Sequence, residues 1–229
     1  MTANYVIAIP IYQGVDLMDV AAPYEIFQWM ADNWKGRNFE LYLVAESLDP
    51  VTTRRGNQVP GMQITPQKTF DLVPHVDLLW IPGGDPDALV AQMGNARYVR
   101  FIQSRSETAE YVTSVCEGAL IAANAGLLDG YEVTTHWAFI QCLSDYYPKV
   151  KISEGYPRYV HDRNRITGGG ISSGLDEALY LVKLMAGGKV AEEVQVTMQY
   201  LPKPPVSGTI PGSGACILKG KLPVHIRKE

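Results

Sequence analysis

The sequence predicts an α/β fold in which a mostly parallel sheet is doubly wound, with helices on both faces. Three observations carry this. Short apolar runs alternate with helix-forming segments along most of the chain, the order that builds a parallel sheet from crossover units. The runs VDLLWI and YVTSV are continuously apolar rather than alternating, as suits strands covered on both sides. At 229 residues the chain is long enough for one large domain with a sizeable core.

The elements follow in order. Tyr5 to Tyr12 reads as the first strand and Val20 to Met30 as a helix, with Pro23 limiting where that helix starts. Phe39 to Ala45 and Val76 to Ile81 read as the second and third strands. A helical region from about Pro86 to Ser106 is broken near Gly94. The Val112 to Val115 strand then runs into a helix over Glu117 to Leu128. Short extended pieces are expected near Val133, Tyr159 and Ile166, and helices over Ser173 to Met185 and Val190 to Met198. These elements make one domain over residues 1–200. Residues 201–229 are rich in Pro and Gly and lack periodicity, so an irregular arm is expected there, packed on the surface or on a partner subunit, or frayed.

Composition narrows the function. Hydrophobic content is 46%, charged content 19% and net charge −4, with a pI near 5.6. No basic footprint for nucleic acid exists. No apolar run approaches a membrane span, and MTANYVIAIPIYQG reads as a strand rather than a signal peptide. The three cysteines, Cys116, Cys142 and Cys216, are odd in number and far apart. No disulfide framework is expected, and a reducing cytoplasm is the default. The four histidines are widely spaced, with no Cys-x-x-Cys pair, so no metal site is expected.

The most informative stretch is YVTSVCEGALIAANAGLLDG, residues 111–130. Ser114-Val115-Cys116-Glu117-Gly118 places a cysteine between small residues where a strand meets a helix, the form of a nucleophile elbow. The turn lifts the side chain off the sheet, and unpaired N–H groups at the helix start favour the thiolate, so a lowered Cys116 pKa is expected. A small buried hydrophobe is the plainer use of a free cysteine.

Other candidates gather at the carboxyl ends of the strands, where doubly wound sheets place their sites. Asp19 follows the first strand; alone it reads as a helix cap or first-turn acid, with Asp16 a weaker candidate for the same cap. Beside a cysteine its pKa would rise and it could shuttle a proton. Gly83 and Gly84 follow the third strand. A backbone N–H there and that of Glu117 are expected to stabilise developing negative charge. Thr135 and His136 follow the Val133 segment, His136 being either a base or a packed histidine. Gly170 and Ile171 close a Gly-Gly-Gly-Ile turn that lacks the ending of a phosphate loop.

At these residues the chain resembles the DJ-1/PfpI superfamily, and within it the isonitrile hydratases. The carrying pieces are LMDVAAP (17–23), IPGG (81–84), YVTSVC (111–116), AGLLDG (125–130), TTHW (134–137) and TGGGI (167–171). The resemblance implies a flavodoxin-like, class I glutamine amidotransferase-like fold, a homodimer, a small-molecule substrate and no cofactor. It also implies Cys116 as nucleophile and Asp19 as its acid–base partner, which outweighs the cap reading. The implied chemistry is hydration of an isonitrile to an N-substituted formamide through a thioimidate. The hydratases carry a threonine after the cysteine, whereas Glu117 stands here; it could be a first-turn carboxylate, but as the residue directly after the elbow nucleophile it is expected to face the site near Asp19 as a third catalytic candidate. Amidotransferase relatives need a downstream His-x-Glu, which is absent; regulator relatives carry a C-terminal DNA-binding domain, which is not expected here. A glyoxalase- or amidase-like activity, or reversible oxidation of Cys116 as a redox sensor, remain as other uses of the same thiol.

Overall fold

The structure is a computed structural model and describes residues 4–223. A seven-stranded sheet lies at its centre, in the order β10-β11-β7-β6-β1-β2-β5. Its strands are β1 (Tyr5–Pro10), β2 (Phe39–Ala45), β5 (Lys68–Thr69), β6 (Leu78–Ile81), β7 (Tyr111–Ser114), β10 (Tyr159–Asp162) and β11 (Arg165–Gly168). All neighbours run parallel except the edge hairpin of β10 and β11. Two small ribbons flank it: β3 (Val51–Thr52) with β4 (Gln63–Ile64), and β8 (Glu132–Val133) with β9 (Lys151–Ile152). The Val133 segment therefore reaches the site from outside the main sheet.

Helices α1 (Leu17–Asn33), α2 (Pro86–Gly94), α3 (Ala96–Ser106), α4 (Gly118–Asn124), α5 (Ile140–Tyr146), α6 (Ser173–Ala186) and α7 (Gly188–Thr197) connect and cover the strands. The doubly wound architecture is the one the alternation predicts. Helix α1 packs on α6 and α7, while α2 packs on α3 and α4. The break near Gly94 is real: Asn95 ends α2 and its side chain caps α3, accepting from the N–H groups of Arg97 and Tyr98. Strands β6 and β7 are buried almost throughout, and Trp80 and Phe27 meet edge to face with centroids 5.9 Å apart.

Three local expectations are corrected. Helix α1 begins at Leu17 rather than Val20, so Pro23 lies within the helix rather than bounding it, while Asp19 is a first-turn acid, one of the two readings its position allowed. Proline has no N–H to donate back to the Asp19 carbonyl. The Trp80 indole N–H donates to that oxygen instead, at 2.9 Å. Helix α4 stops at Asn124 rather than Leu128, because Gly126 takes φ 77 and turns the chain. Helix α5, absent from the sequence reading, occupies Ile140–Tyr146.

The cysteines also differ from expectation. Cys142 and Cys216 form a disulfide, with Cα atoms 4.6 Å apart across a sequence separation of 74. Spacing along the chain says nothing about a partner that the C-terminal arm folds back to meet. The bridge removes the premise from which a reducing compartment was expected. No helix of the described residues is long and apolar enough to cross a membrane. Beyond α7 the described residues form no helix or strand. The arm is nevertheless anchored by buried Cys216, Leu218 and Leu222.

Candidate functional site

Strands β1, β6 and β7 run parallel, so the segments after them meet at one edge of the sheet. Cys116 sits two residues beyond β7 with φ 55. A left-handed conformation is uncommon for a residue with a Cβ, and it is the strained elbow the sequence pattern predicts. The turn closes against β6: a Cβ on Gly118 would lie 2.2 Å from the Ile81 carbonyl oxygen. The Cys116 N–H donates to the Gly169 carbonyl at 2.8 Å, and the Thr135 hydroxyl donates to the Cys116 carbonyl at 2.7 Å. The elbow is thus held from two sides by the segments after β11 and β8.

Three carboxyl groups surround the thiol. Asp16, Asp19, Cys116 and Glu117 are all buried, and their functional atoms lie within 4.8 Å of one another. Asp19 is fully buried. One of its oxygens accepts the Gly83 N–H at 2.9 Å, and the other has no partner. Burial first, then the charges of Asp16 and Glu117, raise the Asp19 pKa well above the ordinary range. Glu117 is pushed up to about 7, chiefly by burial, while its hydrogen bond with the Cys116 thiol acts in the opposite sense. Three acids and a thiol packed this closely can share protons or hold a cation. Asp16 and Asp19 come from one segment and Cys116 and Glu117 from another; the resemblance pairs Asp19 with Cys116, and the addition is Asp16, read in the sequence only as a weaker cap candidate.

The thiol itself departs from expectation. Burial above all, then the charges of Asp19 and Glu117, push the Cys116 pKa up rather than down. The helix-start effect is outweighed by desolvation and by two neighbouring acids. An N–H of Ile171, not one from α4, faces the sulfur and favours its ionised form. The expected donors are also committed elsewhere. Gly83 gives its N–H to Asp19, and the Glu117 N–H is directed to the carboxylate of the same residue. Gly84 pairs with Val15 in an isolated bridge. Gly83 has a packing role too: a Cβ there would lie 2.5 Å from a Glu117 carboxylate oxygen and 2.9 Å from one of Asp19.

A cavity of about 360 Å³ opens beside the elbow, and Thr135, His136, Gly170 and Ile171 line it. Gly83 and Gly84 do not, and Cys116, Asp19 and Glu117 lie buried behind it. Met18, Trp137, Tyr156 and Ile210 complete much of its apolar wall. Met18 and Trp137 belong to segments the sequence places at this edge, whereas Tyr156 and Ile210 carry no such signal, because nothing in spacing brings the β9–β10 connection and the C-terminal arm there. His136 is half-buried; its Nδ1 accepts the Ala138 N–H at 3.2 Å, and burial lowers its pKa. It stands in the cavity wall. His161 lies away from the site, bonded to the Tyr180 hydroxyl and the Arg163 carbonyl.

Comparison with known proteins identifies the family. The chain is 34% identical over 201 residues to isonitrile hydratase of Pseudomonas putida, covering 88% of this chain and 81% of that protein. A crystal structure of a ThiJ/PfpI family protein from Pseudomonas syringae superposes with a TM-score of 0.77 at 35% identity, covering 89% of this chain and 78% of that one. The HTH-type transcriptional regulator GbdR of Pseudomonas aeruginosa shares 32% identity over 122 residues, which span 53% of this chain and 32% of the regulator. The DJ-1/PfpI family model matches residues 6–184, and the chain belongs to that family.

Proposed function

We propose that the protein is a cysteine-dependent hydratase that converts isonitriles to N-substituted formamides. The observation that carries this reading is the buried set of one thiol and three acids within 4.8 Å, at a strained elbow beside a cavity of about 360 Å³. The similarity to an isonitrile hydratase supports the substrate class. An isonitrile group is small, linear and without net charge, so it suits a desolvated thiol.

In this reading Glu117, with its pKa near 7, accepts the Cys116 proton as sulfur bonds to the terminal carbon. Asp19, kept protonated by burial, delivers a proton to that carbon, giving the thioimidate R–N=CH–S–Cys116. The two acids then hold one proton between them in exchanged positions. Asp19 takes a proton from water as it adds to the thioimidate carbon, and Glu117 gives its proton to the nitrogen, which returns both acids to their starting states; collapse then passes the hydroxyl proton to the departing Cys116 sulfur and releases R–NH–CHO. Atoms balance as isonitrile plus water. The Ile171 N–H steadies the sulfur when it carries charge. Thr135 holds the elbow, and His136, Gly170 and Ile171 shape the wall.

The substrate is a small molecule and the assembly a two-fold homodimer, as the family resemblance implies. Redox sensing by Cys116 fits less well, because sensor cysteines are exposed and of low pKa. Incubation of the purified protein with an alkyl isonitrile, following the formamide by mass spectrometry, tests the reading. Formamide production that is lost in Cys116→Ala is expected. No formamide from any of a panel of alkyl and aryl isonitriles overturns it.

A further inference from the structure

The C-terminal arm contributes to the candidate cavity. Ile210 lines it, although the arm lies in a part of the chain with no helix or strand. Three residues on, the Ser213 N–H donates to the hydroxyl of Tyr156 at 2.9 Å, and Tyr156 is itself a wall residue. Cys216 then ties the arm to α5 through Cys142. Between Gln199 and Gly212 the arm is exposed or half-exposed throughout, and Ile210 itself is 50% exposed. Few contacts hold this stretch, so its ends fix its place.

We propose that this arm is the selectivity wall of the cavity, with Ile210 setting the size of group R and the Cys142–Cys216 disulfide holding Ile210 in position. The proposal rests on the hydratase reading for its substrate, but its geometry does not. With the bridge intact, the stretch from the end of α7 at Thr197 to Cys216 is a loop closed at both ends, and its wandering is limited. A dithiol reductant opens the bridge. Its thiolate attacks one sulfur to form a mixed disulfide, and its second thiol displaces that bond. The protein gains two electrons and two protons as two thiols, and the dithiol leaves as its own disulfide. Ile210 then swings away with the arm, and the cavity accepts bulkier groups. The site thus carries a selectivity that oxidising and reducing surroundings change.

Alkylation of Cys116 tests the wall without requiring turnover. Rates at the Cys116 peptide are compared for a small reagent, iodoacetamide, and a bulky one, N-pyrenylmaleimide. The proteins are wild type, the double variant Cys142→Ser with Cys216→Ser, and Ile210→Ala. Neither cysteine belongs to the proposed machinery, and Ile210 is too exposed to be needed for folding. An open form held below about 10% becomes the main form when the tether is cut, so the bulky reagent accelerates on the order of tenfold in the double variant. The small reagent changes by no more than a few-fold, and Ile210→Ala shifts the ratio the same way. An unchanged ratio in Ile210→Ala overturns the proposal, even if the double variant fails to fold. An unchanged ratio in a folded double variant overturns the role of the bridge. Absence of isonitrile turnover with the ratio shifted refutes the hydratase reading alone.

Discussion

Replacing Glu117 by Gln isolates the electrostatic core of the site. The thiol is raised above its ordinary pKa by burial and by two nearby acids, and it hydrogen-bonds Glu117. Glu117 itself titrates near 7, so it is charged at any pH where this thiol ionises. The sulfur and the Glu117 carboxylate lie within 4.8 Å. At an effective dielectric constant of about 20, two unit charges at that separation repel by roughly 3.5 kcal/mol, equivalent to about 2.5 pH units. Glutamine keeps the shape and an accepting oxygen but not the charge. The rate of iodoacetamide alkylation at Cys116, followed against pH by peptide mass, is therefore expected to show a midpoint lower by about two pH units or more in Glu117→Gln. In wild type the midpoint lies above the value of about 8.5 of a free thiol. The midpoints diverge because Glu117 opposes thiol ionisation once it is itself ionised; below its own pKa of about 7 the two proteins carry the same charge there. A midpoint unchanged or raised in the variant refutes the reasoning.

Other expectations follow from the same geometry. Asp19→Asn preserves shape but removes the proton donor, and isonitrile turnover is expected to fall on the order of a hundred-fold or more while the circular dichroism spectrum is retained; turnover within a few-fold of wild type excludes Asp19 from proton transfer. Glu177 on α6 is fully buried, both of its oxygens lack partners, and burial raises its pKa well above the ordinary range. A raised folded-state pKa gives stability that is complete below the unfolded value of about 4.3 and declines as pH rises towards the folded value. Glu177→Gln removes that decline, so its stability relative to wild type, read from urea midpoints, is expected to improve by up to about 3 kcal/mol between pH 4.5 and pH 7; a difference independent of pH contradicts this. Reducing the Cys142–Cys216 bridge, which closes a segment with a sequence separation of 74, is expected to lower stability by about 2–4 kcal/mol. An unchanged urea midpoint under reducing conditions would show that the arm and α5 are held without it.

Much of the fold is legible in the sequence because periodicity and propensity act locally. The strands at Tyr5, Phe39, Val76 and Val112 and the broken helix at Gly94 need only neighbours a few residues away. The elbow is legible for the same reason: Ser114 to Gly118 carry the turn, the nucleophile and the close approach together. What escapes is set by contacts between distant segments. The helix start at Leu17 depends on Trp80 satisfying the carbonyl that Pro23 leaves free. The Cys142–Cys216 bridge depends on the path of the arm. The sign of the Cys116 shift depends on burial and on Asp19, far away along the chain, where local reasoning counts only the helix start. The Ile171 N–H beside the sulfur has no signal beyond its place after three glycines.

The most direct test of the central claim is the mass of the protein caught during turnover. Wild type mixed with a simple alkyl isonitrile and quenched in acid within milliseconds is expected to gain the mass of one whole isonitrile. The adduct, an addition of sulfur and hydrogen across the terminal carbon, should map to the peptide containing Cys116 and be absent from Cys116→Ala. Formamide produced at the wild-type rate by Cys116→Ala, with no adduct on Cys116, would contradict the account.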